Sequence, residues 1–440
     1  MSHVIAIRRE TKSLWERRAA VTPDLARRLV SEHGIEILVQ PSSRRVFNDA
    51  EYVHAGARLT GNISDANVVI GVKEIPLDAF QPGTAYLFFS HVIKGQPYNM
   101  AMLAKIIERG CTLIDYETIC DDNGRRLIFF GRYAGLAGMI DTLWALGQRL
   151  KREGIATPLA GIEQAHTYPS LDDAKKAVRE AGEKIASAGL PEGLPPLVIG
   201  IAGYGNVAVG AREILAELPT RDVPPDALAS LFGEPSSHCL YQTTYREEHL
   251  VEPLAEGAAF ELQDYYDNPE NYRSVFERHL PHLTVLVNCI YWDARYPRLV
   301  TVDRLRSLYG GPAPPRLRVI GDLSCDIEGA IECTVKSTEP VDPVYVWDPA
   351  DGSAIPGVEG NGPVVLAVEI LPAELPREAS EEFSKALAQF IPALAAADFS
   401  AAFEELDLPP ELKRAVIVHR GCLTPDYAYL EEHLAAHAGA

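Results

Sequence analysis

Long apolar runs are missing from this chain. No stretch reaches the roughly 18 residues that a transmembrane helix needs, so no membrane span is expected. Basic residues are in the minority: 41 Lys and Arg face 61 Asp and Glu, for a net charge of −20. That balance leaves no footprint for nucleic acid or for an anionic membrane surface. Cysteine is sparse and scattered. The seven residues (Cys111, Cys120, Cys239, Cys289, Cys325, Cys333 and Cys422) include no C-x-x-C pair. Neither a disulfide framework nor structural zinc is expected, no metal is assigned, and the pattern reads as reduced, cytoplasmic cysteine. Cys289 and Cys325 fall in strand-like runs and read as small core residues. The first residues, Met1-Ser2-His3-Val4, lead into Arg8 and Arg9 without the apolar stretch of a cleavable signal peptide.

What is present fits a globular α/β enzyme. The 440 residues, 47% apolar and 23% charged, are enough for two or three domains. Over the first 130 residues strand-like runs alternate with helical ones, which predicts a parallel sheet. Thr22-Pro23 opens a helix that Gly34 stops. Ala134 to Leu150 has helical spacing and carries the chain towards a second domain. Gly189 to Pro196 reads as a Pro/Gly hinge, and a second α/β unit starts at Leu197. Signals weaken beyond about Pro340, apart from a strand at Val364 to Ile370 and a helix from Pro376.

Three features carry chemistry. Lys73 and His91 each end an apolar run, Asn67 to Val72 and Tyr86 to Ser90. Ligands of open α/β sheets bind beyond the carboxyl ends of strands, so the two would sit together there and could divide proton transfer. Leu197 to Ala202 then runs into Gly203-Tyr204-Gly205-Asn206-Val207-Ala208, a G-x-G-x-x-A turn before a helix. Gly203 permits the turn, Gly205 admits a pyrophosphate, and Ala208 or Gly210 permits close helix–strand packing. About 20 residues further on, Asp222 is the nearest acid for a ribose, with Arg221 or Arg246 as partners for a 2′-phosphate. Finally, Arg18, which can grip a carboxylate with two hydrogen bonds, precedes an apolar helix start, and Arg125-Arg126 lies beside Asp121 and Asp122.

Together these motifs resemble a known family. The residues concerned are Glu10-Thr11-Lys12, Trp15-Glu16-Arg17-Arg18-Ala19, Val72-Lys73-Glu74, Ser90-His91-Val92-Ile93-Lys94, Gly124-Arg125-Arg126-Leu127, the glycine loop, Cys289-Ile290-Tyr291-Trp292 and Gly321-Asp322-Leu323-Ser324-Cys325-Asp326. The order is similar to that of the alanine dehydrogenase and lysine-forming saccharopine dehydrogenase superfamily. More narrowly it resembles the lysine-ketoglutarate reductase half of the bifunctional lysine-degrading enzyme. The resemblance implies two Rossmann-like domains with parallel sheets flanking a central cleft. A discontinuous substrate domain would comprise 1–135 plus about 335–440, and a dinucleotide domain about 136–334. It implies condensation of L-lysine with 2-oxoglutarate and reduction of the imine to saccharopine, with NADP(H) favoured and NAD(H) left open. Carried over by position, Lys73 and His91 form the acid–base pair, and Arg18, Glu74, Lys94, Glu117 and Arg126 belong to the substrate site. Gly203, Gly205, Asn206, Val207, Asp222, Arg246 and Asp322 belong to the cofactor site. With no second dehydrogenase after residue 440, a separate saccharopine-cleaving enzyme is the expected partner. The rival readings are another imine-reducing amino-acid dehydrogenase, such as alanine dehydrogenase, and a non-catalytic nucleotide-binding regulator.

Overall fold

Two eight-stranded sheets carry the fold. The computed structural model describes residues 3–438 apart from 234 and 313. The early strands are β1 (Val4–Ile7), β2 (Glu36–Val39), β3 (Arg58–Leu59), β4 (Val68–Ile70), β5 (Ala85–Phe88) and β6 (Thr112–Asp115). The middle strands are β7 (Val198–Ala202), β8 (Thr220–Asp222), β9 (Leu240–Tyr245), β10 (Val251–Pro253) and β11 (Tyr272–Ser274). They continue with β12 (Val285–Asn288), β13 (Val319–Asp322), β14 (Val344–Trp347), β15 (Ala354–Pro356) and β16 (Val364–Leu366). The last are β17 (Val416–His419) and β18 (Cys422–Leu423).

The chain divides into two units, Met1–Phe130 with Pro376–Ala440, and Gly131–Leu375. In the first, the strand order is β18-β17-β6-β5-β4-β1-β2-β3. β1 to β6 pair in parallel, and their residues are mostly apolar and buried, as expected of strands covered on both faces. Between β1 and β2 runs the helix Pro23–His33. The Thr22 hydroxyl caps it by accepting from the Leu25 N–H at 3.3 Å, and Gly34 ends it at φ 65°. The helix Pro376–Leu387 packs on the same core, with Phe383 stacked 4.3 Å from Phe130 and edge-on to Tyr116 at 4.9 Å.

The second unit orders its strands β15-β14-β16-β13-β12-β7-β9-β8, and β10 and β11 form a separate antiparallel pair. Here the 22-residue helix Gly131–Arg152 lies against the helix Asn206–Leu215. The two backbones meet. A Cβ added at Gly135 would stand 1.9 Å from the Val207 carbonyl, and one at Gly210 2.0 Å from that of Arg132. Gly210 therefore serves helix–helix contact, not the helix–strand packing expected from the motif.

Two further expectations need correction. The expected parallel sheets are mixed. β17 runs antiparallel to β6 and β18, and β14 antiparallel to β15 and β16. β17 and β18 are joined by Arg420-Gly421 alone, both at positive φ (50° and 79°), and a two-residue link permits only an antiparallel hairpin. The return expected near residue 335 falls at Pro376 instead. Residues 344–366 supply three strands of the second sheet, and β14 and β16 are wholly buried there. The Gly189–Pro196 segment is a loop within the second unit and marks no boundary between units. No helix among the described residues is long and apolar enough to cross a membrane, and all seven cysteines are free.

Candidate active site

In the first sheet β4 and β5 are neighbours, with Ile70 paired to Leu87. Lys73 and His91 each lie three residues past the end of their strand. The register therefore brings them together, and Lys73 Nζ stands 3.5 Å from His91 Nε2. On the other side of the ring, His91 Nδ1 lies 3.4 Å from Glu117 Oε2. With Nδ1 turned to that carboxylate, Nε2 is the ring nitrogen that faces Lys73 Nζ. Arg126 closes the row, its Nη2 3.3 Å from Glu117 Oε1 and its Nε donating to the Glu117 carbonyl at 3.1 Å. Burial pushes the Glu117 carboxyl up, but the His91 contact and the charges of His91, Arg126 and Lys94 together hold it below the usual range. The Phe89 ring stacks on the imidazole at 6.0 Å.

Arg18 differs from expectation. It is 4% exposed, and its guanidinium grips Glu16 (2% exposed) through Nε at 2.8 Å and Nη2 at 2.5 Å, over the Phe130 ring. The two-bond grip expected for a substrate carboxylate is already occupied by one of the protein's own. Burial alone would raise the Glu16 carboxyl; the charge and hydrogen bonds of Arg18, with the charge of Lys73, hold it low instead. Glu74 pairs with Lys12 at 3.4 Å. Lys94 is exposed. Arg125 is exposed and held by Asp121 at 3.1 Å. The structure thus joins Lys73, His91, Glu117 and Arg126 in one row, and Arg18 faces inward behind them with Glu16.

The second sheet presents backbone. β7 ends at Ala202, Gly203 turns at φ 101°, and the helix Asn206–Leu215 begins without a side-chain cap. Its first N–H groups, at Asn206 and Val207, are left for an anion. A Cβ at Gly205 would meet nothing within 4 Å. Beside the loop lies a cavity of about 400 Å³ lined by Tyr204, Tyr265, Tyr266, Tyr291, Trp292 and Glu247 among others. These features suit a dinucleotide: open space at Gly205 for phosphate, free N–H donors, and an aromatic chamber for a base.

Counting about 20 residues to an acid leads to a strand that does not adjoin the glycine loop's strand. β9, not β8, neighbours β7. Asp222 therefore sits on the edge strand, 3.7 Å from Arg212. The residues following β9 are Arg246, whose guanidinium lies 4.8 Å from the Tyr204 ring centre, and Glu247, which accepts from the hydroxyls of Tyr204 (3.3 Å) and Tyr266 (2.7 Å). Glu247 and Tyr266 escaped sequence reading because nothing local marks them; for Glu247, strand order does. Asp322, expected near the cofactor, is 1% exposed. Its oxygens accept from Asn288 Nδ2 (2.8 Å), Thr334 Oγ1 (2.6 Å) and Cys325 N (3.3 Å), and burial pushes its carboxyl up to about 6. Both of its oxygens are engaged by the protein's own donors.

A further acidic cluster in this unit has no counterpart in the sequence reading. Asp141 and Glu374 are buried together, with His166 Nδ1 3.6 Å from Glu374 Oε2. Asp141 Oδ1 accepts from Ala165 N at 2.7 Å, while its Oδ2 and both Glu374 oxygens have no donor. Burial, and the charge of Glu374, push Asp141 well above the carboxylate range; burial pushes Glu374 up to about 7. A proton shared between the two carboxyls would join Asp141 to one Glu374 oxygen and remove one of the two buried charges.

Comparison with known proteins extends this picture. Residues 6–137 match the family described as alanine dehydrogenase/PNT, N-terminal domain. An alpha-aminoadipic semialdehyde synthase of Arabidopsis thaliana is 39% identical over 444 residues, covering 97% of this chain. The chain spans only 41% of that relative's length, and 48% of the mitochondrial protein of the same name from Bos taurus. A saccharopine dehydrogenase [NAD(+), L-lysine-forming] of Neurospora crassa is 30% identical over 397 residues, 87% of this chain and 88% of that protein. Among solved structures, an L-alanine dehydrogenase superposes with a TM-score of 0.63 at 19% identity, over 98% of this chain and 99% of that one, a likeness of fold.

Proposed function

Since the chain belongs to the L-lysine-forming saccharopine dehydrogenase family, we propose that it condenses the ε-amine of L-lysine with 2-oxoglutarate and reduces the imine to saccharopine, reversibly. The observation that carries this reading is the 3.5 Å contact between Lys73 Nζ and His91 Nε2, backed by Glu117. Attack of the amine on the ketone gives a carbinolamine. Loss of its hydroxyl as water needs a proton on that oxygen, and the amine nitrogen must lose one. Lys73 delivers the first and His91 relays the second, two groups in contact doing what one near-neutral group does poorly. Arg126 and Lys94 supply positive charge for substrate carboxylates in an otherwise acidic protein. Arg18 serves by fixing Glu16 beneath Lys73. A nicotinamide cofactor, when bound, would supply the hydride, and Gly203, Gly205, Asn206 and Val207 would hold its phosphates.

The phosphorylated cofactor is the better fit. Arg246 follows the strand beside β7 and lies over Tyr204 of the glycine loop, where a 2′-phosphate is met in this fold. Asp222 is one strand further out. Absorbance at the reduced-nicotinamide band, with L-lysine and 2-oxoglutarate and each cofactor in turn, tests both statements. Turnover with ammonia and pyruvate instead would favour the alanine dehydrogenase reading. No turnover with either pair would favour a regulator. Arg246→Ala should raise KM for NADPH and leave NADH nearly untouched; a wild-type preference for NADH would overturn the cofactor assignment.

A further inference from the structure

Two loop residues separate Lys73 from β4, and two separate His91 from β5. Each loop residue adds two soft torsions, so a 3.5 Å contact between the two tips needs something to hold the loops. Two buried carboxylates do this, and neither belongs to the row described above.

The first is Glu10, whose side chain is 6% exposed. Its Oε1 accepts from the Val72 N–H at 2.8 Å and its Oε2 from the Lys73 N–H at 3.1 Å. The second is Asp115, the last residue of β6, paired in register with Phe88 and fully buried. Its Oδ2 accepts from both the N–H (2.9 Å) and the hydroxyl of Ser90, and its Oδ1 accepts from the Glu117 N–H at 2.8 Å. Asp115 thus holds the residue before the imidazole and the backbone of the carboxylate that meets the imidazole. His91 itself has φ 54°, a left-handed conformation that costs a non-glycine residue about 1 kcal/mol or more and persists only where its surroundings impose it. In both cases one carboxylate spans two backbone N–H groups beside an acid–base side chain.

We propose that Asp115, with Glu10 as its counterpart on the lysine side, is a positioning residue for proton transfer. It sets the contacts of His91 with Lys73 and Glu117 without touching substrate. The inference rests on the acid–base reading of Lys73 and His91. The groups facing the His91 ring are Lys73 from the β4 side and Glu117 from the β6 side, with Arg126 and Lys94 beyond. Those facing Asp115 are Ser90, Glu117, Tyr116 and Tyr427. Burial pushes the Asp115 carboxyl up to about 6, so above that pH it is the charged and stronger acceptor.

The test compares Asp115→Asn, Ser90→Ala and Glu10→Gln with the wild-type protein. Four quantities are followed: melting temperature, kcat, KM, and the titration of the His91 imidazole by NMR, assigned with His91→Gln. Asp115→Asn should lower kcat about tenfold or more, the scale of a small misplacement of a reacting group, with both substrate KM values within about twofold. The His91 titration should move to lower pH as Glu117 drifts from Nδ1. Ser90→Ala changes no charge, so a smaller shift in the same direction separates positioning from a direct effect of the Asp115 charge. Glu10→Gln should lower kcat and disturb the Lys73 side. Variants that only melt earlier, with kcat and the His91 titration unmoved, would reduce both carboxylates to loop staples and overturn the proposal. If Asp115→Asn does not fold, Ser90→Ala and Glu10→Gln decide alone. A wild-type protein with no lysine-dependent turnover would remove the reading of function, and the NMR titrations would still report on the two clamps.

Discussion

At the carboxyl edge of the first sheet the residues that matter are titratable side chains, Lys73, His91 and Glu117; at the same edge of the second they are glycines and uncapped N–H groups. Buried acids diverge between the units in the same way. Glu16 and Glu374 are 2% and 3% exposed, yet Glu16 is held below its ordinary value and Glu374 is pushed up to about 7. Depth of burial is the same. What opposes burial differs: the Arg18 guanidinium overcomes it at Glu16, whereas at Glu374 burial prevails over the contacts with Asp141 and His166. Partner, not depth, decides whether a buried acid stays charged.

The contrast can be broken most sharply at Lys73. Lys73→Met should lower turnover by roughly 10² to 10⁴-fold, the range for one general acid–base group, and His91→Gln should do likewise with an altered pH profile. Both variants retaining wild-type kcat would remove side-chain chemistry from the first sheet. Next comes the buried pair. Arg18→Ala strands the Glu16 charge and should cost the first unit about 3–5 kcal/mol in denaturant unfolding. Adding Glu16→Gln to it should return much of that loss; a double variant no better than the single one would mean that packing, not charge, is at stake. The carboxyl pair of the second unit gives the opposite sign. Asp141 and Glu374 are raised in the folded protein. Their contribution is therefore present below the unfolded value near 4.5 and is lost as pH rises through about 7. His166, held below its ordinary value by burial, opposes this at the acid end. Melting of the second unit should fall from pH 5 to pH 8, and Asp141→Asn should gain roughly up to 3 kcal/mol over wild type at pH 8 and little at pH 5. Parallel melting curves for the two proteins would refute the shared proton. The smallest effect is expected at Gly205, where a side chain meets only open space. Gly205→Val should leave the melting temperature unchanged and weaken cofactor binding about tenfold or more, ~1.4 kcal/mol by titration calorimetry; unaltered affinity would make the loop a structural turn.

Local signals carried the sequence reading as far as the chain's own neighbourhood. Thr22, Gly34, the ends of β4 and β5, and Gly203 to Val207 are marked by caps, apolar runs and turn residues acting within a few positions, and all are legible. Residues whose role comes from a neighbouring strand are not. Asp222 lies at the expected spacing but on the edge strand β8, with β9 between it and β7. Arg246 was one of several arginines until strand order put it beside the glycine loop. Glu10, Asp115 and Glu374 act through partners 62, 25 and 233 positions away respectively, which no periodicity records. β14 to β18 are short and broken by Pro349, Gly352 and Gly421, so their signal fades although β14, β16 and β17 are wholly buried.

The interrupted first unit also bears on how the protein is made. A ribosome has produced β1 to β6 by residue 115, but β17, which covers the open side of β6, and Phe383, which packs on Phe89, Tyr116 and Phe130, come only after residue 375. At about 5–20 residues per second, the nascent sheet waits on the order of 10–50 s with the backbone of its sixth strand unpaired on one side. That is the interval in which a holding chaperone would find a single exposed ribbon to grasp, and in which slowed translation of the middle segment would do the most harm.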